Sequence, residues 1–100
     1  MAYRFSVYCG LAVGQDTSPQ TCENSKRIAL EAADKNLKSY SIHEINGVWE
    51  GLRERVLVIV CYSGLRTDIA KVNALAHTYK HSNHQEVVMI VEEEVDVRFY

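Results

Sequence analysis

The residue with the clearest capacity for chemistry is Glu54, which directly precedes RVLVIVCY, an arginine followed by seven consecutive apolar residues. So apolar a run predicts a strand that is buried on both faces. A carboxylate at its beginning lies close to the protein interior, where a charge needs a partner or a ligand. One interpretation is a weak surface ion pair with Arg53 or Arg55. The other is a carboxylate that faces a cationic ligand or positions a polar one.

Two more side chains are candidates for the same site. Trp49 is the only tryptophan, and the glycines of NGVWEGLRE around it predict a turn. Its ring either packs in a core or an interface, or presents its negative face to a cation. Gln85 precedes the last apolar stretch and either caps a loop or binds a ligand through its amide.

The histidines offer a metal site as a further possibility. His77, His81 and His84 have the spacing i, i+4, i+7, which on a continuous helix could present metal ligands. HSNH at 81–84 instead favours a helix end, where histidine suits the helix dipole. No convincing carboxylate or thiolate partner accompanies them. The sequence therefore predicts no metal site, and it contains no nucleophile elbow, P-loop or dinucleotide fingerprint.

Composition limits the classes of protein that remain. One hundred residues predict a single domain, 1–100, and 47% hydrophobic with 24% charged residues is ordinary for a globular protein. Eleven scattered Lys and Arg and a net charge of −2 argue against nucleic-acid binding. No apolar run could span a membrane, and the first ten residues do not form a signal peptide. Three widely spaced cysteines without a CxxC pair favour reduced thiols in the cytoplasm.

The elements that must position these residues follow the order β-α-β-β-α-β. Alternating and apolar stretches predict four strands, and two stretches with apolar residues on one helical face predict two helices. The strands are predicted at 3–9, 39–45, 55–62 and 85–91, with a strand-like extension in 92–100, and the helices at 22–37 and within 63–80, the second capped by Ser63 or Thr67.

This order predicts an α+β fold of the ferredoxin-like type, an antiparallel sheet with two helices on one face. The first and third strands are central in that topology, which fits the uninterrupted hydrophobicity of 55–62. The opposite face of the sheet is left open. With this many Val and Ile residues, we expect self-association over that face or over the sheet edges.

Several motifs recur in an order that resembles a known family. They are FSVYCGL in the first strand, Gly47 and Trp49 in the turn, Glu54 before a strand that ends in Cys61, the helical stretch Asn73 to Tyr79, and Gln85. In their order and spacing, over about residues 3 to 91, the chain resembles the S-adenosylmethionine lyases of bacteriophages, formerly called S-adenosylmethionine hydrolases. The family's turn aromatic is usually tyrosine, so Trp49 is a departure from the pattern.

The resemblance implies a reaction and a role for each matched residue. The substrate carboxylate of S-adenosylmethionine would attack its own γ-carbon, giving methylthioadenosine and homoserine lactone. Glu54 would anchor the ammonium or face the sulfonium, and Gln85 would hold the amino-acid end. Trp49 would pack against adenine or the sulfonium methyl. Whether the outcome is lyase or hydrolase chemistry stays open.

The resemblance also implies the surroundings of the site. Backbone groups of Tyr8, Cys9 and Gly10 would complete the substrate pocket, and no metal or redox cofactor would be required. The family implies a homo-oligomer, commonly a trimer, with sites at subunit boundaries. Its biological role would be depletion of the methyl donor in the cytoplasm of an infected cell, which blunts restriction.

Alternatives of other classes remain beside the lyase. The pattern G-x-W, R-E, Y-K, Q-E-V also resembles an uncharacterised bacterial family of small ferredoxin-like proteins, which supports the fold and implies no activity. A non-catalytic inhibitor could bind a host protein through the acidic stretch Glu92 to Glu94, or sequester a small ligand. A purely structural oligomer is the third hypothesis.

Overall fold

The computed structural model describes residues 1–100 as a four-stranded antiparallel sheet with two helices. The strand order is β2-β3-β1-β4, so the first and third strands are central, as predicted, and the ferredoxin-like α+β fold is confirmed. The elements are β1 (Ala2–Gly10), α1 (Pro19–Asn36), β2 (Ser41–Trp49), β3 (Leu52–Ser63), α2 (Ile69–Ser82) and β4 (Met89–Val95), with a short 3-10 helix at Arg66–Asp68 before α2. None of the helices has the length and apolar character that crossing a membrane requires.

The main hydrophobic core lies between the sheet and the two helices. Every second residue of the two central strands faces this core, because side chains alternate along a strand. The core side chains are Phe5, Val7 and Cys9 of β1, Leu57, Ile59 and Cys61 of β3, Cys22, Ala29, Ala32 and Ala33 of α1, and Val72, Leu75, Ala76 and Tyr79 of α2, together with Leu11. Three of the four residues that α1 contributes to the core are alanines.

The other face of the sheet carries no helix. Val56, Val58 and Val60 form a smaller apolar cluster there, and Tyr8 packs against it. Because the pleat alternates, Glu54 shares this uncovered face with the three valines. The site residue at the mouth of β3 therefore points away from the main core.

Both helices begin at different residues from those predicted. α1 begins at Pro19 because Ser18 caps it, accepting a hydrogen bond from the Thr21 N–H at 3.2 Å. The predicted cap of the second helix at Ser63 or Thr67 is wrong. Ser63 instead accepts a hydrogen bond from the Leu65 N–H at 3.0 Å, and Asp68 occupies the cap position without accepting a capping hydrogen bond from the helix backbone.

The predicted turn around Trp49 is wrong in extent. β2 continues to Trp49 and β3 begins at Leu52, so the turn contains only Glu50 and Gly51. Both turn residues have left-handed backbones, with φ of 49° and 80°, which is typical of a tight type I′ hairpin. Trp49 therefore pairs with Leu52 at the tip of a regular hairpin.

The last strand lies four residues later than predicted. β4 begins at Met89, which pairs with Tyr8, and it ends at Val95. Gln85 does not join the sheet because its N–H bonds to the Lys80 carbonyl at 3.0 Å, at the end of α2. Residues 96–100 have no regular secondary structure, so the predicted extension is limited to the part within β4.

Candidate active site

Three residues from different parts of the chain meet where β1 ends. Gly10, the last residue of β1, pairs with Val56, which places Glu54 diagonally across from it on the uncovered face. A Cβ atom on Gly10 would lie 3.0 Å from Cδ of Glu54 and 3.3 Å from Oε1 of Gln85. Any side chain at position 10 would displace the Glu54 carboxylate, which lies directly against the Gly10 backbone.

Glu54 is half-buried and has no partner within the protein. It accepts no hydrogen bond and forms no ion pair, and loss of solvent raises the pKa of its carboxyl group. The ion pair with Arg53 or Arg55 that the sequence left open does not form. Arg55 lies on the opposite face, where its Nε donates to Glu44 at 2.8 Å. Glu54 is therefore available to a ligand.

Gln85 presents a second acceptor oxygen beside this carboxylate. Its Nε2 donates to the carbonyls of Ala12, at 2.8 Å, and Asn83, at 3.2 Å. Carbonyls only accept, so these two bonds fix the amide with Oε1 towards Gly10. The Glu54 carboxylate and the Gln85 amide oxygen therefore lie side by side next to Gly10. Two acceptors in this arrangement suit an ammonium or sulfonium group.

A buried network supports the backbone beneath these groups. The Tyr79 hydroxyl donates to the Gly10 carbonyl, and the Ser25 hydroxyl donates to the Leu11 carbonyl at 2.7 Å. Asn83 donates to both hydroxyls at 2.9 Å. Sequence reasoning missed Ser25 and Asn83. The feature that indicates such a network is Tyr79 on the apolar face of α2, because a buried hydroxyl needs hydrogen-bond partners that other elements must supply.

The remaining predicted pocket residues have different surroundings. The Cys9 side chain is fully buried in the main core, and burial raises the pKa of its thiol to about 12. Only its backbone is left for a ligand. Tyr8 packs on the valine cluster of the uncovered face. Trp49 is 59% exposed and shares a face with Glu54, because Leu52 and Gly47 are the hairpin partners of the two residues.

The histidines of α2 form no metal site. The rings of His77 and His81 pack edge to face, with centroids 4.3 Å apart. No group of three or more His, Cys, Asp or Glu side chains is placed to hold an ion. Asn83 and His84 follow the end of α2, and His84 has a left-handed backbone with φ of 53°, which turns the chain towards Gln85.

The acidic stretch Glu92 to Glu94 is largely neutralised. Arg66 pairs with Glu92 at 2.9 Å, and Arg4 pairs with Glu93 at 2.6 Å.

Two shallow concavities of about 300 Å³ and 290 Å³ lie beside α2 and on the uncovered sheet face, and neither contains Glu54 or Gln85.

The chain is similar in fold to solved proteins of several kinds. It matches a phage S-adenosylmethionine lyase in complex with S-methyl-5'-thioadenosine with a TM-score of 0.71 and 22% identity, covering 93% of this chain and 81% of that one. The apo lyase matches with a TM-score of 0.68 and 22% identity over 98% and 91% of the two chains. The expected resemblance to phage lyases is thus confirmed in fold.

Proteins without a stated activity share the same architecture. A DUF3240 family protein from Shewanella baltica matches with a TM-score of 0.64 and 12% identity over 98% of this chain and 94% of that one. A de novo designed protein, Foldit4, matches with a TM-score of 0.62 and 11% identity over 96% and 100% of the two chains. The sequence matches no protein-family model and no curated protein. Any function must therefore be argued from the site.

Proposed function

We propose that the protein is an S-adenosylmethionine lyase that releases methylthioadenosine and homoserine lactone. The observation that carries this proposal is the unpartnered, half-buried Glu54 carboxylate beside the fixed Gln85 amide oxygen. The lyase-like fold supports it, since a neighbour of that fold binds S-methyl-5'-thioadenosine.

The reaction needs no acid, base or nucleophile from the protein. The substrate carboxylate attacks the γ-carbon, the carbon–sulfur bond breaks, and its electron pair leaves with the sulfur of methylthioadenosine. Because attacking group and leaving group belong to one molecule, the protein mainly has to hold a folded conformer, which is a proximity effect. Carboxylate and sulfonium lose their opposite charges together, so a partly desolvated site favours the transition state relative to water.

The two acceptor groups fit the cationic part of this substrate. Glu54 binds the ammonium or faces the sulfonium without forming a covalent bond, and Gln85 accepts a second hydrogen bond through Oε1. Substrate binding supplies the positive partner that the folded protein lacks. Trp49 packs against adenine or the sulfonium methyl, and the backbone of residues 8–10 forms the edge of the pocket.

The wider setting of the proposal follows the same resemblance. The protein acts as a homotrimer with sites at subunit boundaries, and the exposed apolar side chains Ile45, Tyr62 and Met89 support an assembled form. It depletes the methyl donor in the cytoplasm of an infected cell and so counters restriction. The one domain spans residues 1–100.

The test is turnover of S-adenosylmethionine, followed by mass spectrometry. Wild type is expected to give methylthioadenosine with homoserine lactone before homoserine, whereas homoserine from the outset would favour hydrolysis. Glu54→Gln is expected to lose at least about 100-fold in rate, as expected for a misplaced substrate. Glu44→Gln is the matched control, because Glu44 lies on the same hairpin but pairs with Arg55 on the opposite face. Intact substrate with concentrated wild-type protein would refute the proposal and favour a binding protein without turnover.

A further inference from the structure

The backbone beneath the site is held by side chains from three separate elements. Three consecutive carbonyls, those of residues 10–12, each accept a side-chain hydrogen bond. Their donors are Tyr79 of α2, Ser25 of α1 and Gln85 after α2, respectively. One edge of the main-chain segment that leaves β1 is thereby fixed to both helices.

Asn83 is the residue that joins these donors. Its Nδ2 donates one bond to the Tyr79 hydroxyl and one to the Ser25 hydroxyl, and its own carbonyl accepts from Gln85. Because the two hydroxyls must donate onwards to carbonyls, they can only accept from Asn83, so the direction of every bond is determined. The Asn83 and Ser25 side chains are buried, and no buried side-chain nitrogen or oxygen in the protein lacks a partner.

The network also reaches the strand that carries Glu54. The Leu11 N–H donates to the Arg55 carbonyl at 3.0 Å, while the Leu11 carbonyl accepts from Ser25. The segment is therefore fixed on both sides, against β3 and against the helices. These bonds therefore also set the position of the segment relative to the Glu54 carboxylate, which lies against the adjoining Gly10.

We propose that Tyr79, Asn83 and Ser25 are positioning residues that set the geometry of the Glu54 and Gln85 acceptors through the carbonyls of residues 10–12. None of the three needs to contact the substrate. They act by fixing the glycine against which the carboxylate lies and the loop to which the Gln85 amide is bound. The kinetic consequence rests on the proposed lyase function, whereas the geometric consequence does not.

Tyr79→Phe is the most selective test, because it removes one hydroxyl and changes no charge. Tyr40→Phe is the matched control, since the Tyr40 hydroxyl bonds to Asp34 on the surface, away from the site. The measurements are carboxyl carbon NMR titration of Glu54, assigned with Glu54→Gln, and the side-chain amide signals of Gln85. Ser25→Ala replaces Tyr79→Phe if the latter does not fold.

Positioning predicts that Tyr79→Phe shifts the Gln85 amide signals and moves the Glu54 pKa towards its ordinary value of 4.5, as water enters. The turnover number is expected to fall about 10- to 100-fold with a smaller change in KM, whereas Tyr40→Phe leaves all of these unchanged. If Tyr79→Phe and Ser25→Ala lower only the melting temperature and leave Glu54 and Gln85 unperturbed, the role is merely structural and the inference is wrong. Absence of turnover in wild type would refute the lyase instead, and the NMR comparison would still decide the positioning role.

Discussion

Gly10→Ala is the substitution that tests the site geometry most directly. The new Cβ would stand 3.0 Å from Cδ of Glu54, whereas carbon atoms prefer about 3.5–4.0 Å. The carboxylate must then move by about 0.5–1 Å. A displacement of about 1 Å can cost about 100-fold in rate when catalysis depends on substrate orientation. Because the expected displacement is about 0.5–1 Å, we expect the rate of S-adenosylmethionine turnover to fall about 10- to 100-fold.

The same substitution is expected to have little effect on stability. Gly10 does not have a left-handed backbone, so alanine should gain about 0.4–1 kcal/mol by restricting the unfolded chain. Turning the Glu54 side chain away costs about 0.5–1.5 kcal/mol if it leaves a rotamer minimum. The two effects nearly cancel, so the free energy of unfolding should change by about 1 kcal/mol or less. The melting temperature should therefore change by only a few degrees.

Gly47→Ala provides the matched comparison for this prediction. Gly47 pairs with Glu54 in the hairpin, but its Cβ would meet only Cγ2 of Val56 at an ordinary 3.6 Å. Turnover by mass spectrometry and thermal unfolding should separate the two variants, with Gly10→Ala impaired and Gly47→Ala active. Full activity in a folded Gly10→Ala protein would refute the argument that the carboxylate must lie against this glycine.

Two further predictions concern titrating groups. Burial raises the pKa of Glu54 above its ordinary 4.5, so the ionised carboxylate destabilises the folded protein. The free energy of unfolding therefore falls as pH rises from the pKa of the unfolded state to the higher pKa of the folded state. Glu54→Gln should therefore unfold at a higher temperature than wild type at pH 7 and at about the same temperature well below pH 4.5; a lower melting temperature at pH 7 would contradict this. The thiol of Cys9, with a pKa of about 12 and no exposed surface, should react with an alkylating reagent only after unfolding, in contrast to rapid labelling of a denatured control.

The fold could be predicted because local signals and global topology agree. The uninterrupted apolar run of β3 indicated a central strand, and the topology places it beside β1. The element ends were less predictable because side chains define them. Ser18 begins α1 earlier than its apolar face suggests, and Gln85 is held by the end of α2 rather than joining β4.

The site was only partly predictable from sequence. Glu54 stood out because a carboxylate beside a buried strand is unusual, and Gln85 because it precedes the last strand. Asn83 gave no such signal, because an asparagine after a helix reads as an ordinary cap. Its role depends on contacts with Ser25, 58 positions away in the chain, which only the folded arrangement brings together.

Two glutamates of the β2–β3 hairpin show why Glu54 is better explained by a ligand than by stability. On the helix side, Arg55 and Lys26 hold the pKa of Glu44 below its usual value. On the uncovered side, Glu54 is more shielded from water, has no cation, and has a raised pKa. No fully buried side-chain nitrogen or oxygen lacks a partner, whereas the half-buried Glu54 carboxylate has none and is a local exception among the partly shielded carboxylates. Such exceptions concentrate at functional sites, where the missing partner is supplied by what binds. A cation that enters beside Glu54 should therefore lower the pKa of this carboxyl group and stabilise the fold, which a ligand titration followed by thermal unfolding would detect.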